Sequence, residues 1–472
     1  MQRRVFAPAI DFDRLRAELD LTVDFAPEAV AEARGAVDRF ADDRVDRTDV
    51  ELVTIDPPGS QDLDQALRVV ADGDGFVVHY AIADVAALVE PGGAVDAASR
   101  DRGQTMYFPD GSVPLHPRDL SEGIGSLLPD QVRPAVLWTV HVDAAGEVTD
   151  VDLERATVRS RERFDYAGVM ADHEAGRLHP SIAALPTFGQ TRLDWSLRRG
   201  AVQLDLPDQE IVPHRGGRAW TLQLAPRTPA DNWNAQVSLL VGMCAGEIQR
   251  KAGIGLLRTV PPASHEAVTE LRAAARHLGV DWSEGASPGE FLASLPAHEP
   301  TTLALMTVGA RLMRGSGYLV LEPGTDYPDD DVVHAGVGGE YSHVTAPLRR
   351  LADRFATETC LAVTAGRDVP EWVTAALGPA RKKMASSDQL ASTAERRSVD
   401  LTEAVVLADQ IGARFDAVVM RDASGDRAAE VFIPSPAIIG ACDGAPSAGT
   451  RCTVEVTVAD AAEGVVRFRV AG

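Results

Sequence analysis

This chain predicts an α+β fold, with a strand-rich centre surrounded by helices and a small barrel of strands at the C-terminal end. Three observations predict it. Strand-like runs punctuated by Gly and Pro fill Glu51 to Val158, helical periodicity runs from Val237 to Met313, and short strands crowd the residues after Asp400. At 472 residues and 45% hydrophobic content, the chain supports a large domain with one or two satellites rather than one ordinary core.

The elements follow in order. Pro27 suits a first helical turn, and Val30, Ala33, Val37 and Phe40 recur at helix spacing. Residues 1–48 are therefore expected as an N-terminal helical segment, too small for its own core and packed on the next domain. Val53 and Ile55 end a buried strand, and Pro57, Pro58 and Gly59 force a tight turn. Phe76 to Tyr80 and Val136 to Val140 read as further strands. Val237 to Ile248, His265 to Leu278 and Thr302 to Met313 read as helices, completing a domain over residues 49–400. Residues 401–472 are expected to hold a linker helix through Leu407, then strands at Phe415 to Met420, Ala429 to Pro434, Arg451 to Val458 and Val465 to Val470. Short strands in about sixty residues, with a turn at Ser424 to Asp426, suit a barrel of the oligonucleotide-binding (OB) type.

Composition narrows the function classes. No apolar run approaches a membrane span, and Met1 to Arg4 lead into Asp11 and Asp13 rather than into a signal peptide's apolar stretch. A soluble, cytoplasmic protein that meets no membrane is expected. Cys244, Cys360, Cys442 and Cys452 are scattered singly, which suits buried thiols and neither a zinc site nor a disulfide scaffold. A net charge of -24, with lysine only at Lys251, Lys382 and Lys383, argues on its face against a nucleic-acid partner. It does not exclude a channel, where positive potential is needed only along the path of a single strand.

The segment Thr54 to Asp64 places Asp56, Asp62 and Asp64 within eleven residues, with the Pro-Pro-Gly turn between the first acid and the second. Carboxylates so close repel one another unless a cation neutralises them, and hard oxygen ligands suit Mg²⁺, with Mn²⁺ as an alternative. The plain alternative is a solvated acidic loop. Arg349 follows Pro347, a good helix-starting residue, and Leu348, Leu351, Ala352 and Phe355 form the buried stripe. Arg349 is thus expected off the apolar face near a helix N-terminus, where a phosphate is welcome. Its plain alternative is a surface ion pair with Asp353. Tyr107 and Glu395 would ordinarily be a cross-strand aromatic and a solvated helical acid.

These segments stand in an order that resembles a known family. After the acidic loop come His79 to Val85, Met106 to Pro109, Pro114 to Pro117, and Tyr341 to Arg350. From about Glu51 to about Asp400 they resemble the catalytic (RNB) domain of the ribonuclease II and ribonuclease R family, with an S1-like OB barrel behind it. The resemblance implies a metal-dependent hydrolytic 3′→5′ exoribonuclease that takes single-stranded RNA and releases nucleoside 5′-monophosphates; a monomer is expected. It assigns Asp56, Asp62 and Asp64 to the metal site and puts Gln65 where the family has a fourth acid, so the metal should be held more weakly. Asp64, Arg349 and Glu395 become the catalytic candidates, with Arg349 on the scissile phosphate. Tyr107 and Tyr166 become RNA contacts, the first a clamp for the last nucleotide and the second a ribose contact. A family glutamate that assists Tyr166 would fall near Asn234-Ala235-Gln236, where this chain has amides. The family's larger members carry cold-shock barrels ahead of the catalytic domain, and the fifty residues here are too short for one. His79, His116 and His343 lack zinc-ligand spacing and read as structural. Two rival readings stand beside the enzyme: an RNA-binding protein that lost turnover, supported by Gln65, and a hydrolase of DNA or another phosphodiester, supported by the amides at 234 to 236.

Overall fold

The computed structural model describes residues 10–204, 206–214, 219–225, 227–297 and 299–471. The start at Met1 to Arg4 lies outside them. Two short helices come first: α1 (Phe12–Glu18), capped by the Asp11 side chain, and α2 (Pro27–Arg34), with Pro27 in its first turn. The second stops sooner than its periodicity predicts. Gly35 caps it, so Val37 and Phe40 lie beyond the helix, and Val37 is 72% exposed. The two helices also pack on different bodies. Ala29 and Ala33 of α2 join the core beneath the central sheet, while Phe12 and Leu15 of α1 join the core shared with the C-terminal barrel.

The central sheet uses β1 (Val45–Asp46), β2 (Leu52–Ile55), β3 (Gln65–Asp72) and β4 (Gly75–Ala83). A small hairpin, β5 (Met106–Phe108) and β6 (Gly111–Val113), intervenes before β7 (Val132–Val142) and the long β8 (Val148–Phe164). Strand β8 pairs antiparallel with β7 over most of its length, then parallel with β2 at its far end, so the order β8-β2-β3-β4-β7 closes on itself. Alternate residues serve opposite faces. Val78, Tyr80 and Ile82 of β4 and Val136, Trp138 and Val140 of β7 form one core with the helices Leu185–Arg198 and Pro229–Ala252. Ala81, Ala83, Ala135 and Leu137 form the other, against α2.

The expected helices are present as His265–His277 and Pro300–Gly309, the latter tightening into a 3₁₀ turn through Met313. Helix Leu351–Thr364 and the 37-residue helix Glu371–Leu407 then lead to a closed five-stranded barrel. Its strands are Arg414–Arg421, Ala429–Pro434, Ala437–Asp443, Arg451–Asp460 and Val465–Val470. The third was not read from the sequence because Gly440 and its alanines weaken the strand signal. Packing explains that glycine: a Cβ at 440 would lie 2.6 Å from the Phe468 ring. Among the described residues no helix is long and apolar enough to cross a membrane.

Candidate active site

The acidic loop is built by its turn. Ser60 N–H donates to the Pro57 carbonyl at 3.2 Å and Gly59 sits at φ +89°, a geometry with Pro58 and Gly59 at its centre that favours glycine in the second central place. Asp56 N–H donates to the Phe164 carbonyl at 3.0 Å, fixing the first acid where β2 meets the end of β8. The loop's return is strapped by Ser126, whose hydroxyl donates to the Gln61 carbonyl at 2.6 Å and accepts from Leu63 N–H at 2.9 Å. Nothing in the sequence marked Ser126, since its role depends on a contact across more than sixty residues.

Asp64 forms the floor. It is 3% exposed; its Oδ1 accepts from Leu348 N–H at 2.7 Å and its Oδ2 from Arg349 Nε at 3.2 Å. Burial pushes its carboxyl up to about 7, despite the opposing Arg349 charge and the Leu348 hydrogen bond. Burial likewise pushes Asp56 up to about 6, again against Arg349, and Asp56 Oδ2 is buried without a hydrogen-bond partner. The charge of Asp62 adds to both shifts. Asp62 itself accepts from the Tyr107 hydroxyl at 3.4 Å.

The four metal candidates do not form a ready-made cage. Among the described residues no group of three His, Cys, Asp or Glu side chains is arranged to hold a metal ion. The reason is local: Asp64 is turned to Leu348 and Arg349, and Asp62 to Tyr107. Gln65 commits its amide nitrogen to the Thr345 carbonyl, leaving only Oε1 for a cation. Mg²⁺ is nevertheless commonly held by one or two carboxylates, with waters and substrate phosphates supplying the rest. A buried acid and a half-buried one, both with raised pKa and the second with an orphaned oxygen, fit such an ion.

The arginine arrives on a segment that differs from its expectation. Helix Leu351–Thr364 begins four residues after Pro347, because Arg350 is extended at φ -134°, ψ 127°. Thr105 N–H donates to the Arg349 carbonyl and Leu351 N–H to the Gly103 carbonyl, which bind this segment through a single antiparallel bridge at Gln104 to the residues just ahead of the hairpin. Asp353 accepts from Ala346 N–H at 2.6 Å and pairs with Arg350 at 2.9 Å, while the carboxylate paired with Arg349 is Asp64. The surface ion pair with Asp353 is therefore not formed. His116 lies behind, its Nε2 3.3 Å from the Pro347 carbonyl, and His343 Nδ1 is 2.8 Å from the Tyr318 hydroxyl. Burial pushes His116 down to about 3 and holds His343 well below its ordinary value. His79 Nδ1 is 3.3 Å from Thr139 Oγ1 on the sheet.

A cleft of about 350 Å³, lined by Gln104, Thr105, Tyr107, Arg349, Arg350, Ala391 and Glu395, lies beside these acids and meets them through Arg349 on Asp64 and Tyr107 on Asp62; Asp56, Asp62, Asp64 and Gln65 do not themselves line it. It brings together three of the sequence candidates, Tyr107 from the hairpin, Arg349, and Glu395 from the long helix. Gln104, Thr105 and Arg350 were missed. Tyr166 stands outside this lining, as the first residue of helix Tyr166–Glu174, and its hydroxyl accepts from Asn234 Nδ2 at 3.4 Å. Burial raises the Tyr166 phenol, and the nearby Asp56 charge adds to the shift. Asn234 Oδ1 is buried without a partner.

A strand-closed core, buried acids beside an arginine- and tyrosine-lined cleft, and a trailing closed five-stranded barrel make up the architecture, and comparison with known proteins gives its class. The sequence matches the RNB domain over residues 44–362 and the RNase II-type exonuclease C-terminal S1 domain over residues 413–471. The chain belongs to the RNB family of ribonuclease II and ribonuclease R. It is 27% identical over 418 residues to Exoribonuclease 2 of Klebsiella pneumoniae (strain 342), an alignment covering 83% of this chain and 63% of that protein. The chain thus spans less than two thirds of the length of this curated relative. The fold matches Mycoplasma genitalium RNase R in complex with ribose-methylated single-stranded RNA, with TM-score 0.86 and 18% identity over 98% of this chain and 77% of that one. It also matches yeast Ssd1, a pseudonuclease, with TM-score 0.63 and 16% identity over 87% of this chain and 50% of that one. Fold alone therefore does not separate enzyme from relic.

Proposed function

We propose that this protein is a metal-dependent 3′→5′ exoribonuclease that hydrolyses single-stranded RNA to nucleoside 5′-monophosphates. The observation that carries the reading is the buried Asp64, joined to Leu348 and to Arg349, which itself lines a cleft whose walls present Tyr107 and Glu395. Asp56, Asp62 and Asp64, with Gln65 Oε1, would hold Mg²⁺ or Mn²⁺. When bound, the ion supplies Lewis-acid stabilisation of phosphate charge and acidifies a water. Arg349 is half-exposed toward the cleft and supplies a guanidinium to the scissile phosphate. Tyr107 offers a ring face to a terminal base, and Tyr166 with Asn234 offers a hydroxyl and an unpartnered amide oxygen to a ribose. Glu395, exposed at the rim, offers a carboxylate to the water or to the departing nucleotide. Residues 49–400 act as the catalytic unit, residues 401–472 as a barrel contacting the incoming strand, and residues 1–48 as an accessory segment of a cytoplasmic monomer.

A second reading, an RNA-binding protein without turnover, is favoured by the amide at Gln65 and by the absence of a preformed three-acid cage among the described residues. End-labelled RNA and DNA oligonucleotides incubated with Mg²⁺, Mn²⁺ or EDTA, with products resolved by length, test both. Metal-dependent shortening of RNA from its 3′ end is expected. Retention of RNA with no shortening under any metal would favour the second reading.

A further inference from the structure

We propose that α1 positions the Tyr107 wall of the cleft, acting through Arg16; the inference rests on the reading of Tyr107 as a stacking platform. The hairpin that carries Tyr107 has three residues in each strand, and an isolated hairpin holds its geometry poorly in water. Something must hold it. Met106, Phe108 and Val113 are buried in a core shared with Phe12 and Leu15 of α1, while Tyr107 between them is 54% exposed. Because neighbouring residues of a strand face opposite ways, whatever fixes Phe108 inward fixes Tyr107 outward.

Arg16 does this from one side chain. It is 7% exposed, its guanidinium lies 4.6 Å over the Phe108 ring, and it donates to Asp110 at the hairpin's tip and to Asp13 at 2.6 Å. A ring contact and a two-nitrogen grip on one carboxylate leave the hairpin little freedom to rock. The other end of α1 reaches the opposite wall. Glu18 accepts from Arg397 of the long helix, two residues beyond Glu395, and Ala394 lies in the same core as Phe12 and Leu15. So α1, outside the residues matched by the RNB domain, ties together the walls that carry Tyr107 and Glu395.

The test compares wild type, Arg16→Ala, Tyr107→Ala and the double variant on 5′-labelled single-stranded RNA, measuring kcat, KM and final product length. RNA Kd in EDTA gives the same comparison without turnover, and Ala17→Ser, on the exposed side of α1, serves as control. Arg16→Ala is expected to raise KM and Kd about five- to tenfold, the low end of losing one stacking platform. Its kcat should stay within about twofold, its final product should lengthen, and the double variant should be no worse than Tyr107→Ala alone. Additive losses would overturn the inference while leaving Tyr107 its role, as would an Arg16→Ala protein that behaves as wild type while Tyr107→Ala does not. If Tyr107→Ala changes neither affinity nor product length, the reading of Tyr107 falls and the inference with it. Should Arg16→Ala fail to fold, Asp110→Asn, which loosens the same grip from the hairpin side, enters the same cycle with the same outcomes.

Discussion

The floor and the rim of the cleft are built on opposite principles. Asp64 exposes 3% of its surface and holds two partners from a segment more than 280 residues away, whereas Tyr107 at the rim exposes 54% and touches the floor through one long hydrogen bond to Asp62. The floor is preorganised at an electrostatic cost, seen in two carboxyls pushed to about 6 and 7 by burial. The rim keeps its groups exposed to solvent, on a hairpin held from behind by α1. Under the proposed function, chemistry falls to the buried part and grip to the exposed one, because fixed charge stabilises a transition state and a moving strand must be held without sequence preference.

The largest expected effect breaks the floor. Asp64→Asn keeps an oxygen for Leu348 N–H but removes the charge paired with Arg349 and needed by a cation. RNA shortening should fall by about a hundred- to a thousandfold, on the order of losing a principal electrostatic contribution, while RNA Kd in EDTA changes little. Wild-type shortening by this variant would show that the loop is not the active site.

The electrostatic cost should itself be measurable. Asp64 titrates at about 7 in the fold against an ordinary value near 3.8, so between those pH values the folded protein holds a proton that the unfolded chain has released. Stability from this group therefore declines as pH rises through that window. Without metal, wild type should lose melting temperature relative to Asp64→Asn between pH 5 and pH 8. Millimolar Mg²⁺ should narrow the gap, since a cation favours the carboxylate. A difference constant with pH would mean that Asp64 is not desolvated as its surroundings require.

A smaller effect is expected at the rim. Tyr107→Ala should weaken RNA binding by about 1 to 3 kcal/mol and lengthen the final product, as loss of one stacking platform does. Turnover of RNA long enough to reach the floor should persist. An unchanged product ladder would make Tyr107 a surface aromatic and erase the contrast between floor and rim.

Much of this was legible in the sequence, for physical reasons. The Pro57-Pro58-Gly59 turn, the alternation in Phe76 to Tyr80 and the acids at 56, 62 and 64 are local signals, and local signals survive folding. What was not legible depends on distant partners. Pro347 looks like a helix start, yet Thr105 and Gly103, just ahead of the hairpin, hold residues 349 to 351 by backbone hydrogen bonds and delay the helix to Leu351. Asp353 looked like the partner of Arg349, but that carboxylate pairs with Arg350 and caps Ala346 N–H. The contacts of α1 with the hairpin are invisible in sequence because Arg16 meets Phe108 and Asp110 more than ninety residues on.

Gln65 sits where floor meets sheet, and its substitution should have the smallest and most conditional effect. Its nitrogen donates to the Thr345 carbonyl, which ties the first residue of β3 to the segment carrying Arg349. Gln65→Asp removes that donor and sets another carboxylate beside Asp64. Without metal the variant should lose about 1 kcal/mol of stability, the scale of one net hydrogen bond. With metal the sign reverses locally, because the added charge favours the cation, so the activity curve should shift to lower Mg²⁺ or Mn²⁺. Melting curves in EDTA and in Mn²⁺, beside activity titrations for both proteins, separate the two contributions. Coincident activity curves with a lower melting temperature would make Gln65 a strut between floor and sheet rather than a ligand. Flat activity for both proteins under every metal would place the chain with the RNA-binding relics, where a preorganised floor outlives its chemistry.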